Sequence, residues 1–478
     1  MSPIRTTALG LALTTALSTL ALGAAPASAS APAPASAPSA VAGPGAGSTS
    51  GPAVEEARLD RPVPREILRR SGFDTAAPRF ADALRGARTY AQAERVTARH
   101  GAELWRRAVE RAQGRGPAGG DLARDDDRPL YWARLGMVRA LRAWEPATAL
   151  PAGARERLVD RLESASRGQE AVRFPAGRGV RRVLLTGFDP FTLDRDIRIG
   201  NPSGAAALAL DGTLVRTADG GWARVETMVF PVRWRDFADG VVERALRPHL
   251  PRVDLFTTVS QGRVGRFDVE RYNGAWRGGF ADNENASETG PVPVADPATR
   301  PQWTVTSLPY AAITAAATGP FPVYDNTSVT EVPAGATQPV VRPDGPTPGS
   351  AARAGGGGDY LSNEIAYRAT LLRDRLGLTG LPGGHLHTPV LRFGADHTDA
   401  VEDPAYLRNR AAITAQVRSV IAVAAGARGV GGTADAGGTS AAGGTGGAGG
   451  TSTPGGGTGA AGGGTGAAGA GGGATAGR

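Results

Sequence analysis

A chain with no cysteine and no lysine has few routes to covalent chemistry. Thiol catalysis, thiolate metal sites and disulfides are excluded, and so is a serine–lysine dyad. What remains is a hydroxyl nucleophile served by a carboxylate or by one of five histidines. Ser362 follows the glycines at 355–358 and precedes Asn363-Glu-Ile-Ala-Tyr-Arg368, so it stands at the start of an expected helix. A helix N-terminus stabilises developing negative charge and offers free N–H groups to an oxyanion. Serine keeps its proton at physiological pH, however, and needs an adjacent base. On position alone Ser362 reads as a plain N-cap serine. His387 lies in a short β-rich run, where it could take that proton, or where backbone could simply satisfy its ring. Glu270, beside Arg271, could orient a histidine or form a surface pair. His385 and His387 also have the spacing of two metal ligands, but no carboxylate motif joins them and no metal is expected.

Order and context sharpen this. Val183-Leu-Leu-Thr-Gly-Phe-Asp-Pro-Phe191, Ser260-Gln-Gly-Arg263 running to Val269-Glu-Arg271, Asp359-Tyr-Leu-Ser-Asn363 and His385-Leu-His-Thr-Pro389 follow one another along the chain. Asn201-Pro-Ser203, Val229-Phe-Pro-Val-Arg-Trp-Arg-Asp-Phe237 and Thr306-Ser-Leu-Pro-Tyr-Ala-Ala312 stand between them. Together these segments resemble the pyroglutamyl peptidase I (pyrrolidone-carboxylate peptidase) family. The resemblance covers roughly residues 181–425. It implies one α/β/α globule and removal of an N-terminal pyroglutamate by Cys, His and Glu without a cofactor. Ser362 falls on the nucleophilic cysteine, His387 on the histidine and Glu270 on the glutamate. Phe188 and Phe191 resemble the aromatics that hold the lactam ring, and Gln261 lies in the matching turn. Without the resemblance the two phenylalanines would be ordinary core.

Departures from the family cluster near these residues. The place of its oxyanion arginine falls on Gly279 or Phe280, with Arg277 a near neighbour. Gly-Gly-Asp stands where the family has Ala-Gly-Thr, and His385 where it has an aromatic residue. A Pro/Gly-rich insertion over about 329–358 reads as a lid or as disorder. Three functions follow: a pyroglutamyl-peptidase-like hydrolase using Ser362, His387 and Glu270; an inactive relative that binds peptide or cell-envelope fragments; or a serine hydrolase with another acyl substrate.

The elements that must position these residues follow from pattern. β-rich runs at 183–186, 225–232, 253–259, 303–307 and 386–393 alternate with helical stretches at 203–210, 235–246, 309–317, 363–376 and 406–425. That alternation predicts an α/β fold, a three-layer α/β/α domain over 179–425. Residues 54–178 read as a small helical domain, with apolar residues three and four apart among arginines. Asp125-Asp-Asp127 would favour the N-terminus of the helix that follows it. One cation, an apolar run over 8–25 and Ala27-Ser-Ala29 predict a signal peptide over 1–29, cleaved after Ala29, and hence secretion. An Ala/Pro/Ser linker over 30–53 and a Gly/Ala/Thr tail over 426–478 should both be disordered. The net charge of +8 is carried by 53 basic residues, all arginine, without long basic runs. It predicts a solvated cationic surface that can rest loosely on an anionic cell envelope. It predicts no nucleic-acid partner, and no stable membrane insertion is expected. Peptide is the expected substrate, and oligomeric state is open.

Overall fold

The computed structural model describes residues 53–427 except 148, 176–178 and 397–398. The expected signal peptide, almost all of the expected linker and almost all of the expected tail lie outside the described residues. From Pro52 onward the described residues belong to one compact unit. Among them no helix is long and apolar enough to cross a membrane.

Six helices come first: Val54–Ala57, Pro62–Ser71, Ala76–Arg85, Tyr90–Ala112, Arg128–Ala143 and Ala154–Ser166. Their signals are local. Pro62 opens one helix, where its missing N–H costs nothing, and Gly72 closes it in the left-handed region. Thr89 caps another by accepting a bond from Gln92 N. Gly101 lets two of them cross closely, since a Cβ there would stand 2.8 Å from Ala165 Cβ.

The following residues build the expected α/β/α fold around a seven-stranded sheet. Its spatial order is Val323–Asn326, Phe267–Glu270, Gly383–Thr388, Leu255–Gln261, Val180–Phe188, Trp222–Phe230, Thr213–Arg216. Gly383–Thr388, Leu255–Gln261, Val180–Phe188 and Trp222–Phe230 pair in parallel. Phe267–Glu270 runs antiparallel to Gly383–Thr388, and Thr213–Arg216 antiparallel to Trp222–Phe230. The central strands are covered on both faces, which is why they read as near-continuous apolar runs.

Alternation assigns the faces. Leu184, Phe188, Met228, Phe230 and Phe256 pack against Leu361, Ile365, Ala369 and Leu372 of the helix Leu361–Arg375. Val183, Leu185, Val225, Val229 and Val259 share a core with Ala206, Ala207, Ile413, Val417 and Ile421. That second core also takes in Leu104, Trp105, Leu158 and Leu162, so the N-terminal helices close onto the sheet layers. Trp105 donates to Asp211 on the far side of this seam.

Several local expectations give way. Trp303–Val305 is a strand, but it pairs antiparallel with Tyr272–Gly274 outside the main sheet. The helix expected over 235–246 is two helices, Trp234–Ala238 and Val241–Leu246, because Gly240 turns the chain at φ 75°. The insertion is neither disordered nor a free lid. It forms a three-stranded antiparallel sheet of Val329–Val332, Val340–Arg342 and Ala351–Ala354. Glu331 pins it by accepting bonds from Arg342 Nε and from Thr347 N and Oγ1. The three aspartates do more than favour the helix end, where Asp126 accepts Arg128 N at 2.9 Å. Asp126 pairs with buried Arg128 and Arg410, Asp125 with Arg410, and Asp127 accepts Asn201 N. Nor are all arginines surface charge, since Arg128, Arg134, Arg167 and Arg410 are among the largest fully buried side chains.

Candidate active site

The strand Val180–Phe188 ends by delivering Phe188 and the Asp189-Pro-Phe191 turn to one edge of the sheet. Asn201 and Ser203 lock that turn: Asn201 Nδ2 donates to Asp189 O, and Phe188 N donates to Ser203 Oγ. Asp189 is buried and is held by Arg134 and Arg167 from the N-terminal helices. Burial alone would raise its pKa, and the two guanidiniums hold it below the usual carboxylate range. The N-terminal helices thus brace the site strand, although their sequence carries no visible chemistry.

Asn363 fixes the helix bearing Ser362. Its amide accepts from Gly274 N at 2.9 Å and donates to Gly274 O at 2.8 Å. Ser362 therefore sits in the first turn of a 15-residue helix, at its positive end. At the same edge an open cleft is lined by Phe188, Phe191, Ser260, Gln261, Tyr360 and Ser362. Its walls are largely aromatic: Phe188 stacks on Phe237 with centroids 6.2 Å apart, and Phe191 lies 6.1 Å from Tyr360. Apolar and aromatic walls of this kind suit a small flat ring.

His387 and Glu270 meet across the antiparallel pair of strands. His387 Nδ1 and Glu270 Oε1 are 2.7 Å apart, and Glu270 Oε2 accepts Asn326 Nδ2 at 2.6 Å. Glu270 is fully buried and His387 nearly so. With Nδ1 bonded to a carboxylate, Nε2 is the nitrogen available to take a proton. The glycines around the pair are explained by space. A Cβ on Gly262 would stand 2.6 Å from His387 Cβ, one on Gly356 2.2 Å from Glu270 Oε2, and one on Gly357 2.9 Å from His387 Cε1.

Ser362 and His387 both touch Gly357 without bonding each other. Ser362 Oγ donates to the Gly357 carbonyl at 3.1 Å, while His387 Cε1 fills the space that a Cβ on Gly357 would enter. Four of the six residues expected at the site, Phe188, Phe191, Gln261 and Ser362, share the cleft lining. His387 and Glu270 form a bonded pair behind Gly357.

Arg277 does not replace the missing oxyanion arginine: it makes two bonds to buried Glu364 and lies under Trp234. Gly279 turns the chain at φ 87°, and Phe280 is exposed against Tyr360, centroids 5.1 Å apart. Arg263 approaches the pair instead. It bonds Asp268 and the Gly356 carbonyl and stands 3.6 Å from Glu270 Oε1. His385 is no metal ligand here. Its Nδ1 meets Thr258 Oγ1 at 2.7 Å and its Nε2 meets Ser260 Oγ at 2.8 Å.

Sequence reasoning missed Tyr360, Ser260, Asn201 and Asn326 as site residues. Tyr360, Ser260 and Asn201 stood inside quoted motifs, whereas Asn326 had no local signal.

Comparison with known proteins gives two family matches. Residues 35–163 match the model described as PA0049 N-terminal domain, and residues 182–299 and 320–392 match that described as PA0049, C-terminal domain. The PA0049 protein of Pseudomonas aeruginosa is 34% identical over 504 aligned positions, covering 80% of this chain and 91% of that one. One crystal structure of pyroglutamyl peptidase I from Bacillus amyloliquefaciens covers 51% of this chain and 97% of its own, at 20% identity and TM-score 0.35. A second from that organism covers 52% and 95%, at 20% identity and TM-score 0.36. On the identity and coverage shared with the Pseudomonas protein, the chain belongs to the PA0049 family.

Proposed function

We propose that the protein is a secreted hydrolase that removes N-terminal pyroglutamyl (lactam) groups from peptides, with Ser362 as nucleophile, His387 as base and Glu270 as its orienting carboxylate. The observation that carries this reading is the His387–Glu270 hydrogen bond of 2.7 Å beside an aromatic cleft that Ser362 lines. In the reaction Ser362 rotates from the Gly357 carbonyl toward His387 Nε2 and attacks the acyl carbonyl. His387 takes the hydroxyl proton and returns it to the departing amine. Glu270 keeps Nδ1–H in place and balances the imidazolium. Water then releases the acyl group from the serine ester by the same two steps.

The test is hydrolysis of a pyroglutamyl-aminoacyl reporter by the full chain. Ser362→Ala and His387→Ala should each abolish nearly all activity, and thiol reagents should leave the wild type untouched. Activity that survives Ser362→Ala overturns the assignment. Export is supported by the apolar run at 8–25. N-terminal sequencing of culture supernatant should find Ser30 first, and a chain starting at Met1 only in cytoplasm would refute it.

One observation favours a second reading. Ser362's hydroxyl is committed to a backbone carbonyl rather than to the base. A binding protein that keeps the cleft would do the same, and it would be inactive as wild type. If Ser362→Cys then hydrolyses the reporter and is blocked by alkylation, the pocket is intact and only the nucleophile is missing.

A further inference from the structure

A polar row crosses the sheet face beneath the helix Leu361–Arg375, where Leu184, Phe188 and Phe256 are otherwise apolar. It consists of Thr258, Ser260 and His385, all buried, with buried Thr186 level with Thr258 on the next strand. Burying such groups in an apolar layer is unfavourable unless each is bonded, and Thr258, Ser260 and His385 bond one another, whereas Thr186 Oγ1 has no partner. The direction of the chain turns on where the Thr258 hydroxyl proton sits. With its one proton on Gly384 O, 3.2 Å away, Thr258 accepts from His385 Nδ1 at 2.7 Å. His385 is fully buried and lies 4.6 Å from the ring of His387. Burial first, and His387 second, drive its pKa well below the usual value, so the ring is neutral. Its one proton is therefore on Nδ1, its Nε2 is a lone pair, and Ser260 must donate to it across 2.8 Å.

Ser260 also lines the cleft. With its only proton held by His385, it can offer a ligand nothing but oxygen lone pairs, and no described residue donates to them. We propose that Ser260, oriented by His385 and Thr258, is the specificity-determining residue of the cleft, accepting a hydrogen bond from a ring N–H of the acyl group. This rests on the lactam reading of the cleft and says which atom of the lactam is selected. His385 is a positioning residue in this scheme. It is a poor base for Ser260, because an imidazolium there would be buried without a carboxylate, whereas His387 has Glu270.

Binding tests this without turnover. Calorimetric titration of full-length Ser362→Ala should show 5-oxopyrrolidine-2-carboxamide binding about 10- to 100-fold tighter than its lactone, in which oxygen replaces the ring N–H. Adding Ser260→Ala should shrink that ratio to about threefold or less, with lactone affinity little changed. Adding Thr258→Val is the independent arm. It removes the acceptor for Nδ1–H, lets the proton move to Nε2 and turns Ser260 into a donor, so the ratio collapses again. A ratio unchanged by either substitution, a parallel loss for both ligands, or no discrimination by the parent chain overturns the proposal. If the parent binds neither ligand, the lactam reading of the cleft falls with it. If it binds both and only the ratio fails to respond, that reading stands.

Discussion

His387 is held on one side by Glu270 and on two others by backbone that only glycine can bring so close. Gly357→Ala would place a methyl group 2.9 Å from His387 Cε1, and neither the fixed imidazole nor the carbonyl that binds Ser362 can yield cheaply. The expected result is a fall in kcat/KM of about 10²-fold with a melting temperature close to wild type, since misplacement rather than unfolding is at work. Glu270→Gln has a different cause. The carboxylate accepts from His387 Nδ1 and from Asn326 Nδ2, and an amide has only one accepting end for two donors. Either the imidazole tautomer or the Asn326 bond is lost, and kcat should drop by roughly 10²- to 10⁴-fold. Asn326→Ala, which leaves the histidine bond intact, should cost much less in the same assay. Ser362, His387 and Glu270 stood out as candidates because a chain without cysteine or lysine leaves so few groups, and because motif order set them apart. Whether Ser362 bonds its base was not legible, since that is a matter of rotamer and of the Gly357 carbonyl. The hydrogen bonding of His385 was hidden too, because its partners Thr258 and Ser260 lie on another strand.

Strands and helices with long periodic runs could be read from sequence to within a few residues. The central strands at Val180–Phe188 and Trp222–Phe230 are examples. The strand Phe267–Glu270 could not, although it carries the site glutamate. Half of its residues are carboxylates, and both are buried only because tertiary partners meet them: Arg263 and Arg266 at Asp268, His387 and Asn326 at Glu270. The Pro/Gly-rich insertion misled for a related reason. Its sheet is organised by one buried carboxylate, Glu331, rather than by an apolar alternation. Burial acts to raise the pKa of Glu331, and the bonds from Thr347 and Arg342 outweigh it, lowering the value to about 2. Glu331→Ala should leave those donors without their acceptor and open the hairpin locally, at a cost of about 2 kcal/mol. Limited proteolysis should then cut within 333–350 faster than in wild type, while the rest of the α/β core stays intact. Equal cutting rates would show that the strand pairings alone hold the insertion.

Across the whole molecule, buried arginine–carboxylate pairs reinforce the apolar seam that joins the N-terminal helices to the sheet. Arg134 and Arg167 grip Asp189, Arg233 joins Glu55 to Glu163, and Arg128 and Arg410 share Asp126. A guanidinium tolerates burial when its fork is matched by carboxylates, so composition alone could not say which of the arginines were internal. Asp127 is the member of this seam left without a cation of its own, because its neighbour Asp126 takes Arg128. Its Oδ2 accepts Asn201 N at 2.8 Å, and its Oδ1 has no hydrogen-bond partner. Burial, then the charge on Asp126, push its pKa up to about 7, against an unfolded value near 3.8. Between these two values the folded chain holds a proton that the unfolded chain has released. Stability contributed by this group must therefore fall as pH rises from about 4 to 7, and level off above that. Asp127→Asn keeps an oxygen for Asn201 N and removes the ionisation. It should lie close to wild type near pH 4.5 and exceed it at pH 8 by up to ~4 kcal/mol, read as denaturation midpoints at the two pH values. If the variant is no more stable than wild type at pH 8, Asp127 carries its charge at no cost, and the seam compensates it by a route other than the bonds described.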